Sequence, residues 1–317
     1  MTGAILVGDI GGTNARFALA SGESLSCLDS SKAAEHAGVL EAVTRFLHRE
    51  CKEPILEGVA LGVAGPVHNG KSVITNTGWT VDRKALQSHL HCQAVYLLND
   101  FEALAWSLPR LSASQLVPLH AGKAAIDAPQ VVLGPGTGFG AACLVRHEGR
   151  LATVTGEAGH ATYPAASESE HEIVGRLRKR FDHVSIERVL SGPGLQNLYS
   201  VLAEISGIDV PPRRASEVAE AGLQGTCAIC SQAVDAFCEM LGTVAGNLAL
   251  TFGAAGGVYI AGGIVPRILQ RLQRSRFEER FLAKGRYRSY LQNVPVHVIV
   301  HPHASLVGLA AYFDAQR

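Results

Sequence analysis

The stretch Asp9-Ile10-Gly11-Gly12-Thr13-Asn14 joins two apolar runs and decides the first part of the fold. The run before it, Ala4 to Ile10, and the run after it, Ala15 to Ala20, are each typical of a buried β-strand. Because glycine has no Cβ, backbone N–H groups in such a turn can approach phosphate oxygens closely. The Asp9 carboxylate at the end of the first strand could hold a hydrated Mg²⁺ shared with those phosphates. A plain glycine-rich hairpin would have a similar sequence.

The same arrangement occurs again about 125 residues later. Val131-Val132-Leu133 is typical of a strand, Gly134-Pro135-Gly136-Thr137-Gly138-Phe139-Gly140 is a second glycine-dense turn, and Ala141 to Val145 is the next strand. The repeat predicts two related α/β domains, each presenting a loop of backbone N–H groups to a shared cleft. The small-residue segment from Pro109 to Pro129 has the composition of a connection, so we place the domain boundary near residue 110.

A pair of polar residues, Asn99-Asp100, follows the apolar run from Ala94 to Leu98, and a helix is predicted from Glu102 onward. In open α/β sheets, ligands bind at the carboxyl ends of the strands. An ionised aspartate there can hold a hydroxyl group and accept its proton. The alternative is that Asp100 is simply the N-cap of the following helix.

The composition describes a compact globular chain. Of 317 residues, 47% are hydrophobic and 18% are charged, which leaves no sign of extended disorder. Lys+Arg and Asp+Glu both number 28, and a net charge of zero argues against nucleic acid as the main partner. Seven scattered cysteines and a first segment without a charged n-region predict free thiols in a reducing cytoplasm.

One segment has a membrane-like composition. No charged residue occurs between Glu239 and Arg267, and Gly242-x-x-x-Gly246 matches a helix-dimer motif. Glycine pairs further along divide this segment into a helix, Gln232 to Phe252, and a short strand, Val258 to Ala261. We therefore expect no membrane span.

Two textual matches to nucleotide-binding motifs are misleading. Gly65 to Ser72 fits the P-loop pattern, but a P-loop must open a helix, and the residues from Val73 to Thr77 are typical of a strand. Asn69-Gly70 is instead a hairpin turn signal. The turn at Gly134 also leads into a strand and has Phe139 where a dinucleotide fingerprint needs its third glycine, which argues against a Rossmann dehydrogenase.

Three further clusters carry less information. Cys227-x-x-Cys230 and His301-Pro302-His303 could each take part in metal or redox chemistry, but neither has the additional ligands or context that would support it. Gly156-Glu157-Ala158-Gly159-His160 places an acid and an imidazole three residues apart, which suits a polyol ligand; a surface turn is the alternative. Glu187, before a Ser191-to-Gly194 turn, is unremarkable alone.

Taken together, these residues resemble the bacterial glucokinases of the hexokinase/actin-like ATPase superfamily. The resemblance covers essentially the whole chain. The related sugar kinases of the repressor/open-reading-frame/kinase class carry a cysteine-rich zinc cluster after the histidine that corresponds to His160. This chain lacks that cluster, so it resembles the zinc-free branch. The motifs that match, in order, are Asp9 to Asn14, Leu98 to Phe101, Gly134 to Gly138, Gly156 to His160, Glu187 to Gly194 and Ala261 to Gly263.

The resemblance implies a fold of two α/β domains of the actin-like ATPase (ribonuclease H-like) type around a central cleft. It implies a small domain, residues 1–110, completed by a C-terminal helix over 302–317, a large domain, residues 111–301, and a homodimer. It also implies cytoplasmic, ATP- and Mg²⁺-dependent phosphorylation of glucose at the 6-hydroxyl, the entry step of glycolysis. A kinase for another hexose and a catalytically silent sugar-sensing protein remain alternatives.

The resemblance also assigns residues. Asp100 is the catalytic base, and Asp9 is a carboxylate that reaches Mg²⁺ through water rather than as a direct ligand. Glucose is expected at Asn99, Asp100, Glu157, His160 and Glu187, with Asn76 as a further candidate. ATP is expected at Asp9, Gly11, Gly12, Thr13, Asn14, Gly136, Thr137 and Gly138 for its phosphates and at Gly262 and Gly263 for its adenine.

Overall fold

The computed structural model describes residues 3–50, 55–74 and 76–317, and its internal contacts divide the chain into two units. Unit 1 contains the residues up to Ala113 together with His301–Arg317, and unit 2 contains Ser114–Val300. Cys51, one of the predicted free thiols, lies outside the described residues, as do Thr75 and the first two residues of the chain.

Unit 1 is built on a five-stranded sheet with the order β3-β2-β1-β4-β7. Strands β1, β2 and β3 form an antiparallel meander, while β4 and β7 run parallel to β1. A separate hairpin, β5-β6, lies between β4 and α2 in the sequence. The elements are β1 (Ala4–Ile10), β2 (Asn14–Ser21), β3 (Ser24–Lys32), α1 (Val39–Glu50), β4 (Leu56–Val63), β5 (Lys71–Ile74), β6 (Trp79–Asp82), α2 (Arg83–Leu90), β7 (Val95–Asn99) and α3 (Asp100–Ser107).

Unit 2 is built on a six-stranded sheet with the order β11-β10-β9-β12-β13-β8. Its elements are β8 (Leu116–His120), β9 (Gln130–Pro135), β10 (Phe139–His147), β11 (Arg150–Gly156), α4 (Glu168–Arg178), α5 (Gly192–Ser206), α6 (Ala215–Gln224), α7 (Ala228–Phe252), β12 (Gly257–Ile260), α8 (Leu269–Arg274), α9 (Phe277–Leu282), α10 (Arg288–Leu291) and β13 (Val296–Ile299). The chain then returns to unit 1 as α11 (Ala304–Ala315).

The two sheets share one topology. In unit 2, β9, β10 and β11 form the antiparallel meander, and β12 and β13 are added in parallel. This order reproduces β1, β2, β3, β4 and β7 of unit 1, with β8 as one extra antiparallel edge strand. The predicted α/β fold class is confirmed, and the repeated strand–turn–strand pattern marks equivalent strands of the two sheets.

The C-terminal helix α11 packs against α3 and β4 within unit 1. Close approach requires glycine at two points. A Cβ on Gly308 would overlap the carbonyl oxygen of Ala103 on α3, and a Cβ on Gly58 would overlap the ring of Phe313. The apolar helix therefore packs closely because glycine stands at these two contacts, and its Leu306, Leu309 and Phe313 side chains are buried.

The membrane-like segment is a core helix of unit 2. Among the described residues, α7 is the one helix with the length and composition of a membrane span, yet most of its side chains are buried against α5, α6 and α9. The Gly242-x-x-x-Gly246 motif serves this packing: a Cβ on Gly242 would overlap the Phe277 carbonyl oxygen, and one on Gly246 would lie 2.6 Å from the Phe281 oxygen.

Three local predictions differ from the structure. The segment from Pro109 to Pro129, predicted as a connection, contains β8, whose Pro118 made a strand hard to recognise but is tolerated at the edge of the sheet. Helix α3 begins at Asp100 rather than at Glu102. The helix predicted from Gln232 begins four residues earlier, at Ala228, because Cys227 provides its N-cap.

Candidate active site

The first glycine turn is closed by its own backbone. The Gly11 N–H donates to the Asn14 carbonyl at 2.9 Å, and the Ala33 N–H donates to the Thr13 carbonyl at 2.9 Å. The side chain of Asn76 lies directly against the turn, since a Cβ on Gly12 would be 2.6 Å from the Asn76 Nδ2. The structure thus places Asn76, a candidate sugar ligand, beside the first candidate phosphate loop.

A groove of about 860 Å³ runs along this turn in unit 1. Its lining includes Gly12, Thr13 and Asn76 together with His36 and Trp79. The two rings meet edge to face, with centroids 6.4 Å apart. The P-loop interpretation of the neighbouring segment is excluded, because Asn69 and Gly70 adopt positive φ angles in a tight turn that leads into β5 rather than into a helix.

Asp9 stands just before the first turn with its side chain 18% exposed. Its Oδ2 accepts a hydrogen bond from the Ser305 hydroxyl at 3.0 Å and lies 3.4 Å from the Arg16 guanidinium. Burial raises the pKa of Asp9, and the Arg16 charge and the two hydrogen bonds offset this only in part. A partly buried carboxylate whose charge is incompletely compensated is a suitable oxygen donor for a hydrated divalent cation.

Asn99 and Asp100 occupy the junction of β7 and α3, at the carboxyl end of a parallel strand. Asn99, not Asp100, is the N-cap: its Oδ1 accepts from the Phe101 N–H at 2.9 Å, and its Nδ2 donates to the Gly65 carbonyl at 3.3 Å. The N-cap alternative for Asp100 is therefore wrong. Asp100 is the first helical residue, half-buried, and its Oδ1 also accepts from Phe101 N–H.

The second glycine turn is held by backbone groups of unit 2. The Gly136 N–H donates to the Gly138 carbonyl at 2.8 Å, and the Gly192 N–H at the start of α5 donates to the Gly136 carbonyl at 2.9 Å. A Cβ on Gly134 would overlap the carbonyl oxygen of Ala261. Gly262 has a φ of +94°, and a Cβ there would overlap the Pro135 carbonyl oxygen. The candidate phosphate loop and the candidate adenine segment are thus in direct contact.

Glu187 connects the second turn to the glutamate–histidine loop. Its Oε2 accepts from the Phe139 N–H at 2.9 Å, and its own N–H donates to the Gly159 carbonyl at 2.9 Å. The carboxylate also occupies the space that a Cβ on Gly138 would need. A residue that is unremarkable in the sequence therefore lies where two glycine-containing loops meet.

Glu157 precedes a short 3-10 turn, Ala158–His160, and His160 ends it; the His160 N–H donates to the Glu157 carbonyl at 3.0 Å. Both side chains are exposed. A Cβ on Gly159 would overlap the Phe139 carbonyl oxygen, so the loop can approach β10 this closely only with glycine at this position. Glu157, His160, Glu187 and the second turn form one continuous region of unit 2.

Each unit thus gathers its own set of predicted site residues. Unit 1 carries Asp9, the first turn with Asn76, and Asn99-Asp100. Within the described ranges, we find no group of three or more His, Cys, Asp or Glu side chains that could hold a metal ion. That finding concerns protein ligands alone and is compatible with a cation held mainly by phosphates and water.

Sequence reasoning missed Ser305 and Gly65. Ser305 meets Asp9 across 296 positions of sequence, and no periodicity or motif connects the two residues. In the sequence, Gly65 stood out only as the start of a rejected P-loop match. Its φ of +143° and the hydrogen bond that its carbonyl accepts from Asn99 show that it shapes the strand edge beside Asp100.

Comparison with known proteins identifies the family. A family profile described as Glucokinase matches residues 6–316. The chain belongs to the glucokinase family. A glucokinase of Aromatoleum aromaticum is 41% identical over 311 residues, covering 98% of this chain and 94% of that protein. A glucokinase of Nitrobacter hamburgensis is 40% identical over 310 residues, covering 98% and 97%.

Solved structures agree with the family assignment. The crystal structure of a glucokinase from an Antarctic psychrotroph has a TM-score of 0.88 and 36% identity, with 99% of both chains covered. A ROK family glucokinase from Streptomyces griseus, solved in complex with glucose and AMPPNP, has a TM-score of 0.69 and 19% identity, covering 97% of this chain and 98% of that one. At that identity, the likeness shows the shared fold. The resemblance deduced from the motifs is confirmed.

Proposed function

We propose that this chain transfers the γ-phosphoryl group of ATP to the 6-hydroxyl of glucose, giving glucose 6-phosphate and ADP. The supporting observation is that Asp100, the one candidate base, stands at the carboxyl end of a parallel strand in a chain of the glucokinase family. Glucokinase relatives at 40–41% identity over nearly the full length support the same activity.

Glucose binding is assigned to residues of both units. Asn99 is fixed by its helix-capping and Gly65 bonds, which leaves one Nδ2 hydrogen for a sugar hydroxyl. From unit 2, Glu157, His160 and Glu187 supply hydroxyl acceptors and donors, with Glu187 held in place by the Phe139 N–H. Asn76 lies against the first phosphate loop, and we assign it a secondary contact with the sugar.

Asp100 accepts the proton of the 6-hydroxyl as that oxygen attacks the γ-phosphorus. The transition state of phosphoryl transfer is loose, so positioning and charge stabilisation supply most of the rate and the base supplies about 10²–10⁴-fold. The Phe101 N–H bond holds the Asp100 carboxylate in a defined orientation.

The nucleotide is assigned to the two glycine turns. Gly11, Gly12, Thr13 and Asn14 of unit 1 and Gly136, Thr137 and Gly138 of unit 2 offer backbone N–H groups to the phosphates. Gly262 and Gly263, in contact with the second turn, are assigned to the adenine.

We assign Mg²⁺ to the phosphates, with Asp9 holding it through water. When bound, the cation neutralises charge that develops on the transferred phosphoryl group. Asp9 fits this role because its charge is incompletely compensated within unit 1, where Ser305 and Arg16 are its described partners.

The proposed assembly follows the family resemblance. Residues 1–110 with 302–317 act as the small domain and residues 111–301 as the large domain of a homodimer in the cytoplasm, where the enzyme performs the entry step of glycolysis. Size-exclusion chromatography with light scattering tests the dimer, since a single species of about 33.5 kDa would contradict it.

The decisive test is product formation from Mg-ATP over a panel of hexoses, with Asp100→Asn in parallel. We expect preference for glucose and a loss of at least about 10²-fold in kcat for the variant, with glucose binding retained. Glu23→Gln, an exposed acid in the β2–β3 turn, is the matched control and should keep full activity. Turnover of Asp100→Asn within a few-fold of the unchanged chain would remove the assigned base.

The alternatives give distinct outcomes in the same assay. Faster turnover of another hexose would keep the mechanism and change the substrate. Tight glucose binding without turnover on any sugar would indicate a sensor, although the presence of Asp9, Asp100 and both turns argues for an enzyme.

A further inference from the structure

Two cysteines at the start of α7 take no part in the proposed phosphoryl transfer. Cys227 is the N-cap of this 25-residue helix, and its Sγ accepts a hydrogen bond from the Cys230 N–H at 3.4 Å. The thiols of the two residues also interact directly with one another. Two sulfurs are therefore held side by side at the positive end of a long helix.

The two thiols differ in accessibility. Cys227 is half-buried and so within reach of a small solute, whereas Cys230 is buried beneath it. Burial alone would raise the pKa of Cys227, but hydrogen bonds from Cys230 and the charge of Arg213 outweigh it and hold that pKa below its ordinary value. Burial and the adjacent Cys227 sulfur raise the pKa of Cys230 to about 12. One thiol is favoured as thiolate and its neighbour is kept protonated.

The positive charge of Arg213 acts on both cysteines, where it favours the thiolate form. Its guanidinium interacts electrostatically with both sulfurs and with the Tyr199 side chain, while its buried Nε has no hydrogen-bond partner among the described residues. The Gln196 side chain of α5 holds the Arg213 carbonyl at 2.8 Å and so fixes the backbone at this point. The cation therefore lies within electrostatic range of both sulfurs.

We propose that Cys227 and Cys230 form a peroxide-sensitive dithiol, in which Cys227 is the attacking thiol and Cys230 the resolving thiol. The arrangement is the one that makes a cysteine reactive: a helix N-terminus, a neighbouring cation and a second cysteine three residues on. A zinc site would need further ligands, and the described part of the chain offers no group of three. This site is separate from the proposed kinase function and does not depend on it.

The reaction consumes hydrogen peroxide or an organic hydroperoxide. The Cys227 thiolate attacks one peroxide oxygen, so that an S–O bond forms, the O–O bond breaks and the second oxygen leaves with a proton as water or alcohol. The Cys230 sulfur then attacks the Cys227 sulfur. The S–S bond forms, the S–O bond breaks, and the hydroxyl leaves as water with the Cys230 proton. Two thiols are oxidised to one disulfide, and the peroxide is reduced.

The test treats the reduced full-length chain with one equivalent of hydrogen peroxide and maps the products by mass spectrometry. We expect a Cys227–Cys230 disulfide that dithiothreitol reverses. In Cys230→Ser, dimedone should trap a sulfenic acid on Cys227, while Cys227→Ser should form no disulfide at Cys230. Cys27, which is also half-buried but has no cysteine at i+3, serves as the internal reference and should react more slowly.

Two arginine variants make the test independent of folding defects. Arg213→Gln should slow alkylation of Cys227 by iodoacetamide several-fold, because the nearby cation is removed. Arg214→Gln, whose side chain pairs with Glu217 instead, should leave the rate unchanged. The proposal fails if Cys27 is oxidised before Cys227, if dimedone labels Cys230 rather than Cys227, or if both arginine variants behave alike.

Discussion

The first and second glycine turns follow equivalent strands of two sheets with the same order, but their surroundings differ in kind. Side chains border the first turn: Asn76 lies against Gly12, and Asp9 is held by Ser305 and Arg16. Backbone groups border most of the second turn, with the Glu187 carboxylate against Gly138. The spaces beside Gly134 and Gly262 are filled by carbonyl groups of Ala261 and Pro135. One topology thus supports a first turn bordered by side chains and a second turn enclosed mostly by backbone.

The strand ends next to the two turns explain how the difference arises. In unit 1, the Ala64 N–H donates to the Ile10 carbonyl at 3.1 Å, and in unit 2 the Ala261 N–H donates to the Leu133 carbonyl at 2.8 Å. The Ala261–Leu133 bond lies two residues before the end of β9 at Pro135. The chain that follows Ala261 therefore runs alongside the last residues of β9 and contacts the second turn. The first turn has no such cover from β4, and the Asn76 side chain lies against it instead.

The largest expected effect of this difference is on folding. Gly134→Ala should destabilise the protein by about 3 kcal/mol or more, because the new Cβ meets a backbone carbonyl that cannot move aside. Gly136→Ala is the matched control: it has open space for a Cβ and no positive φ, so we expect less than about 0.5 kcal/mol. Urea unfolding of both variants is the measurement. Equal stabilities of Gly134→Ala and Gly136→Ala would show that the Ala261 carbonyl moves aside for the new Cβ.

Asp9→Asn should affect activity rather than folding. An amide cannot attract a cation as a carboxylate does, so we expect kcat/KM for Mg-ATP to fall by about 10–100-fold and the Mg²⁺ concentration for half-maximal rate to rise. The isosteric amide still accepts the Ser305 hydrogen bond. Steady-state kinetics at several Mg²⁺ concentrations measures the effect, and an unchanged Mg²⁺ dependence would separate Asp9 from the cation.

The raised pKa of Asp9 also predicts how the stability of Asp9→Asn, relative to the unchanged chain, depends on pH. Because burial raises the folded-state pKa of Asp9, the folded protein binds this proton more tightly than the unfolded chain. Below the pKa that Asp9 has in the unfolded chain, protonated Asp9 gives its full contribution to the stability of the folded state. This contribution is lost as pH rises through the folded-state pKa of Asp9. Asp9→Asn should therefore become more stable relative to the unchanged chain as pH rises from about 4 towards 7. Urea midpoints across that range test the sign; a difference that moves in the opposite direction would contradict it.

The smallest expected effect is at Ser305. Ser305→Ala removes one hydrogen bond to the Asp9 carboxylate, and we expect a loss of about 0.5–1.5 kcal/mol in unfolding free energy. Ser289→Ala, at an exposed position within α10 of unit 2, is the control for the loss of a hydroxyl. If Ser305→Ala costs no more than that control in thermal unfolding, Ser305 does not secure the first turn.

Local pattern was enough to predict the hairpins and their turns, the buried strand before Asn99 and the core helix α7, because alternating or continuous apolar runs and glycine-rich turns are properties of neighbouring residues. Contacts between distant residues left no such signal. The Ser305–Asp9 bond, the fit of Gly134 under Ala261 and the position of Glu187 beside Phe139 each depend on the folded sheet. The proposed glucose-binding role of Glu187 comes from the family resemblance and stays a prediction.

The return of α11 to unit 1 has a consequence for biosynthesis. Residues 114–300 form a unit whose strands are all made before the last helix leaves the ribosome, whereas the sheet that begins at Ala4 lacks its α11 cover until residue 315 has been added. Since chains emerge N-terminus first, unit 2 can fold while unit 1 waits, with Asp9 unable to meet Ser305. The sheet of unit 1 thus starts to be synthesised before unit 2 but gains its α11 cover only after unit 2 has been made.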